Sequence, residues 1–151
     1  MRHAWIFVLI LAITGCSREV SPAREPLDWS AIADLQMILV TTTNPEGEPR
    51  TTRLWLVVLD GSGYLRSADT RWSRDVQREP SFQLVADGVR YPVSGERVPY
   101  PSDEHDRVMQ AFAEKYGLLG RSVLRFYSLI GRYSGPSDAR ILRLKAEPPA
   151  G

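Results

Sequence analysis

The chain has little of what many catalytic and metal-binding proteins depend on. Its 151 residues include one cysteine and two histidines, and only Lys115 and Lys145 among its 19 basic residues are lysines. A single cysteine excludes an internal disulfide and a cysteine-based metal site. Nineteen basic against 18 acidic residues lack the one-sided charge of a nucleic-acid footprint. No glycine-rich nucleotide fingerprint, phosphate loop, zincin His-Glu pair or Gly-x-Ser-x-Gly elbow is present. The apolar run Ala4 to Ile13 is about half the roughly 20 residues of a membrane-spanning helix.

That run has another use. Arg2 gives a positive start, the apolar stretch follows, and Thr14 and Gly15 place small residues before Cys16, which is the layout of a signal peptide. Ile13-Thr14-Gly15-Cys16 resembles the bacterial lipobox, which implies cleavage after residue 15 and acylation of Cys16. The other reading is an ordinary secretory signal with an incidental cysteine. Lipid chains contribute about 0.8 kcal/mol per buried methylene, so several hold a protein firmly to a bilayer. Ser17, rather than Asp, follows the cysteine; in lipoproteins of this kind that permits sorting to the outer membrane, facing the periplasm. Loss of Arg2 with the signal leaves basic residues equal to the 18 acidic ones.

Residues 16–26 are polar, contain two prolines and show no apolar period, so they read as a lipidated cysteine and tether. The remainder, 27–151, is the length of one domain. Leu27, Ala31, Ile32 and Leu35 recur at helical spacing, with Asp28 or Ser30 as a cap. "MILVTTT", "RTTRLWLVVLD" and "YLRSAD", separated by "NPEGEP" and "GSG", predict an antiparallel meander. "TRWSRDVQREP" predicts a short helix ending at Pro80, and Asp87-Gly88 a two-residue hairpin. Val108, Met109, Phe112 and Tyr116 form one helical stripe, with Ser102 as N-cap and Gly117 as a stop. Val123, Phe126, Tyr127 and Ile130 suggest a further helix, and "ARILRLKAEP" a closing strand. The whole predicts an α+β domain around one antiparallel sheet. His105, between Glu104 and Asp106, reads as the solvated first turn of a helix, and no metal site is expected.

Candidate binding residues collect at one strand end. Alternation puts Arg50, Thr52, Leu54, Leu56 and Val58 on one face of "PRTTRLWLVVL" and Thr51, Arg53, Trp55, Val57 and Leu59 on the other. Both faces begin polar and turn apolar, as in a strand entering a core from a rim. Pairing across "GSG" is expected to carry Arg66 and Ser67 back towards Thr51 to Arg53. Arg71, Trp72 and Arg74 stand at the following helix start. Arginines, hydroxyls and a helix N-terminus at one rim suit an anionic ligand.

The stretch from "TTTNPEGEPRTTRLWLVV" through "YLRSADTRWSR" to "KYG" resembles the flavin-binding split β-barrel family, which includes pyridoxamine-phosphate-oxidase-like and deazaflavin-dependent nitroreductase-like proteins. The likeness runs from about Leu35 to Tyr116. It implies an antiparallel split β-barrel with two or three flanking helices, a homodimer, and FMN or a related flavin held at the subunit interface. It implies cofactor-phosphate contacts from Arg50, Thr51 and Thr52, from Arg66 and Ser67, and from Arg71 and Trp72. Ser73 stands where the family usually carries an aromatic. Hydride chemistry would belong to the flavin, making the protein an oxidoreductase of small molecules. The alternative is a non-catalytic periplasmic lipoprotein that binds an anionic ligand or a protein partner.

Overall fold

The computed structural model describes residues 20–129 and 140–149, the side chains of 118–129 excepted. Signal segment 1–15, Cys16 and the first part of the tether lie outside the described residues. So do the side chains of Val123, Phe126 and Tyr127, and Ile130.

The strands are β1 (Ser21–Pro22), β2 (Met37–Thr43), β3 (Pro49–Leu59), β4 (Ser62–Ser67), β5 (Ser81–Ala86), β6 (Val89–Arg97) and β7 (Arg140–Ala146). They form one sheet in the order β1-β6-β5-β2-β3-β4-β7, and β6 also pairs with β7. That last pairing turns β2 to β7 into a closed antiparallel barrel, and the α+β class follows. The meander β2-β3-β4 is present, with Val40 opposite Thr52 and Val57 opposite Tyr64. Its second turn sits at Asp60-Gly61, both at positive φ, one residue earlier than "GSG" suggested. Asp87 and Gly88 also have positive φ and join β5 to β6 with Ala86 opposite Val89, the left-handed pair that a tight hairpin requires. Within the stretch read as a tether, Ser21 and Pro22 pair in parallel with Val89 and Arg90 of β6.

The helical segments are a 3-10 turn (Trp29–Ile32), α1 (Arg71–Arg78) and α2 (Asp103–Leu129). Asp28 caps the first, its carboxylate accepting from the Ser30 amide at 2.9 Å, but only one turn forms where a short helix was expected. Gly117 (φ 41°, ψ −122°) is non-helical and divides the α2 span into two helices across a kink. The expected stop and the expected further helix are both present. Ser102 caps α2 by accepting from the His105 amide at 3.1 Å.

Two apolar clusters flank the barrel wall. One fills the interior with Trp29, Val40, Leu56, Leu65, Trp72 and Leu84 among others. The other lies between the wall and α2 and includes Val57, Tyr64, Val108, Phe112 and Ile141. His105 overturns the expectation of a solvated histidine. It is 1% exposed, with its ring edge-on to Tyr100 at 4.9 Å, because it shares the docked stripe of Val108 and Phe112.

Lys115 and Tyr116 tie α2 to the sheet. The ammonium donates to the carbonyls of Ala33, Leu35 and Leu56 at 2.7, 2.7 and 2.9 Å. The Tyr116 hydroxyl accepts from the Leu56 amide and lies 2.8 Å from the Gln36 carbonyl. Burial lowers the pKa of Lys115 and raises that of Tyr116, because each charged form is less well solvated there.

Gly63 fits closely against the Trp29 ring: a Cβ on it would lie 2.3 Å from the nearest ring carbon. Gly63→Ala should therefore lower stability by about 1–3 kcal/mol, the usual cost of overpacking, as read by urea denaturation.

Candidate functional site

Helix α1 sorts its residues by spacing. Trp72 and Val76 enter the interior core from one side of the helix, and a second group of residues shares another side. Arg71, Arg74, Asp75 and Arg78 fall at i, i+3, i+4 and i+7, one side of a helix. They line an open cleft of about 360 Å³ together with Arg50 of β3 and with Pro45 and Glu46 of the β2–β3 turn. That turn is held by Asn44, whose side-chain carbonyl accepts from the Glu48 amide at 2.7 Å, and by Gly47 at φ 84°.

Asp75 organises the floor. Its side chain is 3% exposed, and a buried carboxylate needs partners to offset desolvation. Arg50 donates to Oδ2 at 2.9 Å, and Thr42 donates to the same oxygen at 3.3 Å. Arg78 lies 3.5 Å from Oδ1 and also donates to the Thr43 carbonyl. One carboxylate thus draws β2, β3 and α1 together and fixes two guanidinium groups at the cleft. Arg74 pairs with Asp69 at 3.3 Å, both side chains more than half exposed, so that pair contributes little. Arg71 is exposed and makes no ion pair or hydrogen bond among the described residues. Four arginines therefore face two acids, Asp75 and Glu46, and the cleft is suited to an anion.

The start of α1 is closed by its own residues. Thr70 and Ser73 form a capping box, with the Thr70 amide donating to the Ser73 hydroxyl at 3.0 Å. Ser67 joins them, its hydroxyl 2.9 Å from that of Thr70. Ser73 is 2% exposed, so the residue standing in place of an aromatic serves as a cap. The capping explains why a short helix begins sharply here.

Of the residues singled out in sequence, Arg50 and Arg71 meet in the cleft. Thr52 shares the inward face of Arg50 and is half-buried opposite Val40. Thr51 points outward, its hydroxyl 3.0 Å from that of Thr41. Trp72 is 5% exposed and belongs to the core. Arg66 and Ser67 do not reach the Thr51 to Arg53 end. The β3–β4 ladder pairs Leu56 with Leu65, and β4 is six residues long against eleven for β3, so β4 stops short of that end. By alternation Arg66 lies on the same side of the wall as Tyr64, opposite Ile141 of β7, while Arg50 lies on the interior side. The sequence reading passed over Asp75, Arg78 and Thr42. For the first two the signal was the i, i+3, i+4, i+7 spacing from Arg71. Among the described residues no three His, Cys, Asp or Glu side chains group to hold a metal.

No protein-family model matches the chain, and no curated protein matches it in sequence. Solved structures do match in shape. The heme storage protein HutZ from Vibrio cholerae superposes with TM-score 0.56 at 13% identity, covering 74% of this chain and 82% of that one. A provisionally named pyridoxamine 5'-phosphate oxidase from Listeria innocua gives 0.56 at 12%, covering 80% and 91%. An F420-H2 dependent reductase gives 0.51 at 14%, covering 74% and 95%. At these identities the likeness is one of fold.

Two substitutions should separate the floor of the cleft from its mouth. Asp75→Ala leaves the buried donor Thr42 and the partly buried Arg50 without their acceptor and should cost about 2–3 kcal/mol in chemical denaturation. Arg71→Ala removes an exposed side chain that makes no ion pair or hydrogen bond among the described residues and should change stability by no more than about 0.5 kcal/mol.

Proposed function

We propose, from a split β-barrel of the pyridoxamine-phosphate-oxidase-like type, that this protein is an envelope lipoprotein which holds a flavin-type cofactor by its phosphate and acts as an oxidoreductase of small molecules. Cleavage after residue 15 and acylation of Cys16 attach it to the membrane, with Ser17 favouring the outer membrane and a domain facing the periplasm. The observation that carries the ligand reading is the arginine cleft. Its volume of about 360 Å³ lies at the small end of the roughly 300–1,000 Å³ typical of ligand sites.

The chain's own residues divide the work. Arg50 and Arg78, fixed against Asp75, present guanidinium groups whose positions are set before a ligand arrives, which lowers the ordering cost of binding. Arg71 and Arg74 stand at the mouth, where a phosphate can replace the weak Asp69 partner of Arg74. Planar guanidinium groups suit phosphate oxygens because two N–H groups can donate in parallel. The lining contains no aromatic side chain, so the cleft suits the phosphate end of a flavin rather than its ring. A second subunit, as in the homodimer that the family likeness implies, would supply the missing wall. When bound, a flavin supplies hydride transfer, and the protein supplies position and field.

The absence of a ring wall favours one second reading, a non-catalytic lipoprotein that captures a phosphate-bearing small molecule. The two readings part on titration of the full chain in detergent with FMN, followed by flavin fluorescence and visible absorbance. Saturable quenching that inorganic phosphate competes away, and that the double variant Arg71→Ala/Arg74→Ala weakens roughly tenfold or more, is the expected result. Binding of pyrophosphate without any effect on flavin fluorescence would leave only the second reading. Binding of neither would remove the cleft as a site.

A further inference from the structure

The first two ordered strand residues determine where the chain leaves the barrel. β1 runs parallel to β6, with Ser21 opposite Val89 and Pro22 opposite Arg90, and the Ser21 amide donates to the Gly88 carbonyl at 3.0 Å. β6 begins at the Asp87-Gly88 turn and runs away from it. A parallel neighbour must therefore be entered from beyond that turn, so Val20 leads into β1 at the Asp87-Gly88 end of the barrel. Four residues lie between Cys16 and Ser21, so the two are at most about 17 Å apart when fully extended. Whatever holds Cys16 is close to this end.

The same end differs in surface from the other. Met37, 47% exposed, lies beside Gly88 and Arg53 around a shallow hollow. Arg53 and Arg90 are both exposed at this end, and Asp87 is the one acid lining the hollow. An apolar side chain ringed by arginines suits the boundary between lipid headgroups and chains. The arginine cleft is at the opposite end. β2 begins at Met37 and ends at Thr43, just before the Asn44–Glu48 turn that contributes Pro45 and Glu46 to the cleft, and seven strand residues span about 20 Å.

We infer that the protein stands on its bilayer with the Asp87-Gly88 end down, Met37, Arg53 and Arg90 against the lipid, and the arginine cleft turned away from the membrane. The inference rests on the reading of Cys16 as a lipid anchor. A cleft so placed takes its ligand from the aqueous side rather than from the lipid phase.

The test uses the full chain, purified with its lipid and reconstituted into vesicles of phosphatidylethanolamine and phosphatidylglycerol. Cys16 is the sole cysteine, so once acylated it leaves an introduced cysteine as the only free thiol. Arg90→Cys and Glu46→Cys, one at each end, are labelled with the same fluorophore and quenched by lipids bearing a headgroup nitroxide. The expected result is quenching severalfold stronger at residue 90 than at residue 46. Equal quenching at the two positions, or stronger quenching at residue 46, would overturn the orientation while leaving the anchor intact. A native chain that fails to float with vesicles, or that floats equally well as Cys16→Ala, would remove the lipid anchor and the orientation with it.

Discussion

Strand β7 hydrogen-bonds to β4 along one edge and to β6 along the other, and this double pairing closes the sheet. Until β7 docks, β4 and β6 each present a row of unpaired backbone groups, the exposed edges that folded sheets avoid. Closure also completes both cores, since Leu142 and Leu144 point to the interior cluster and Ile141 to the cluster under α2. The strand that completes the barrel follows β6 only after the long α2, so closure rests on contacts distant in sequence. Such topologies fold slowly compared with helical bundles.

Inside that frame a single buried carboxylate shapes the candidate site. Asp75 would be costly in isolation, and its partners come from three separate elements. The same contacts that make its burial tolerable aim Arg50 and Arg78 into the cleft. Structural support and the shape of the candidate site are therefore carried by one cluster, with the arginines at the mouth free of that structural duty.

Much of this was visible in the residues themselves. Alternation in "PRTTRLWLVVL" gave the two faces of β3, and Asp87-Gly88 gave the hairpin, because both depend on neighbours in sequence. The arginines of α1 could also be placed, since Arg71, Arg74 and Arg78 share one side by spacing alone. His105 was open to the same argument: it stands three residues before Val108 and seven before Phe112, on the stripe that docks. Arg66 could not be placed this way. Its side of the wall depends on where β4 stops along β3 and on its pairing with Ile141, 75 residues away. Nor could Asp75 be seen as the hub, because its donors sit on strands 25 and 33 residues earlier.

The pairing of Ser21 and Pro22 has a consequence for crowding. β5 occupies one edge of β6 along Ser81 to Ala86, and β7 covers the other edge only from Val93 onward. The opening stretch of that second edge, Val89 and Arg90, is where β1 lies. A proline there offers no backbone donor on its own account, so the residue that finishes the sheet does not invite another strand to extend it. Where copies of the chain meet, a sealed strand edge keeps neighbours from joining into a continuous sheet.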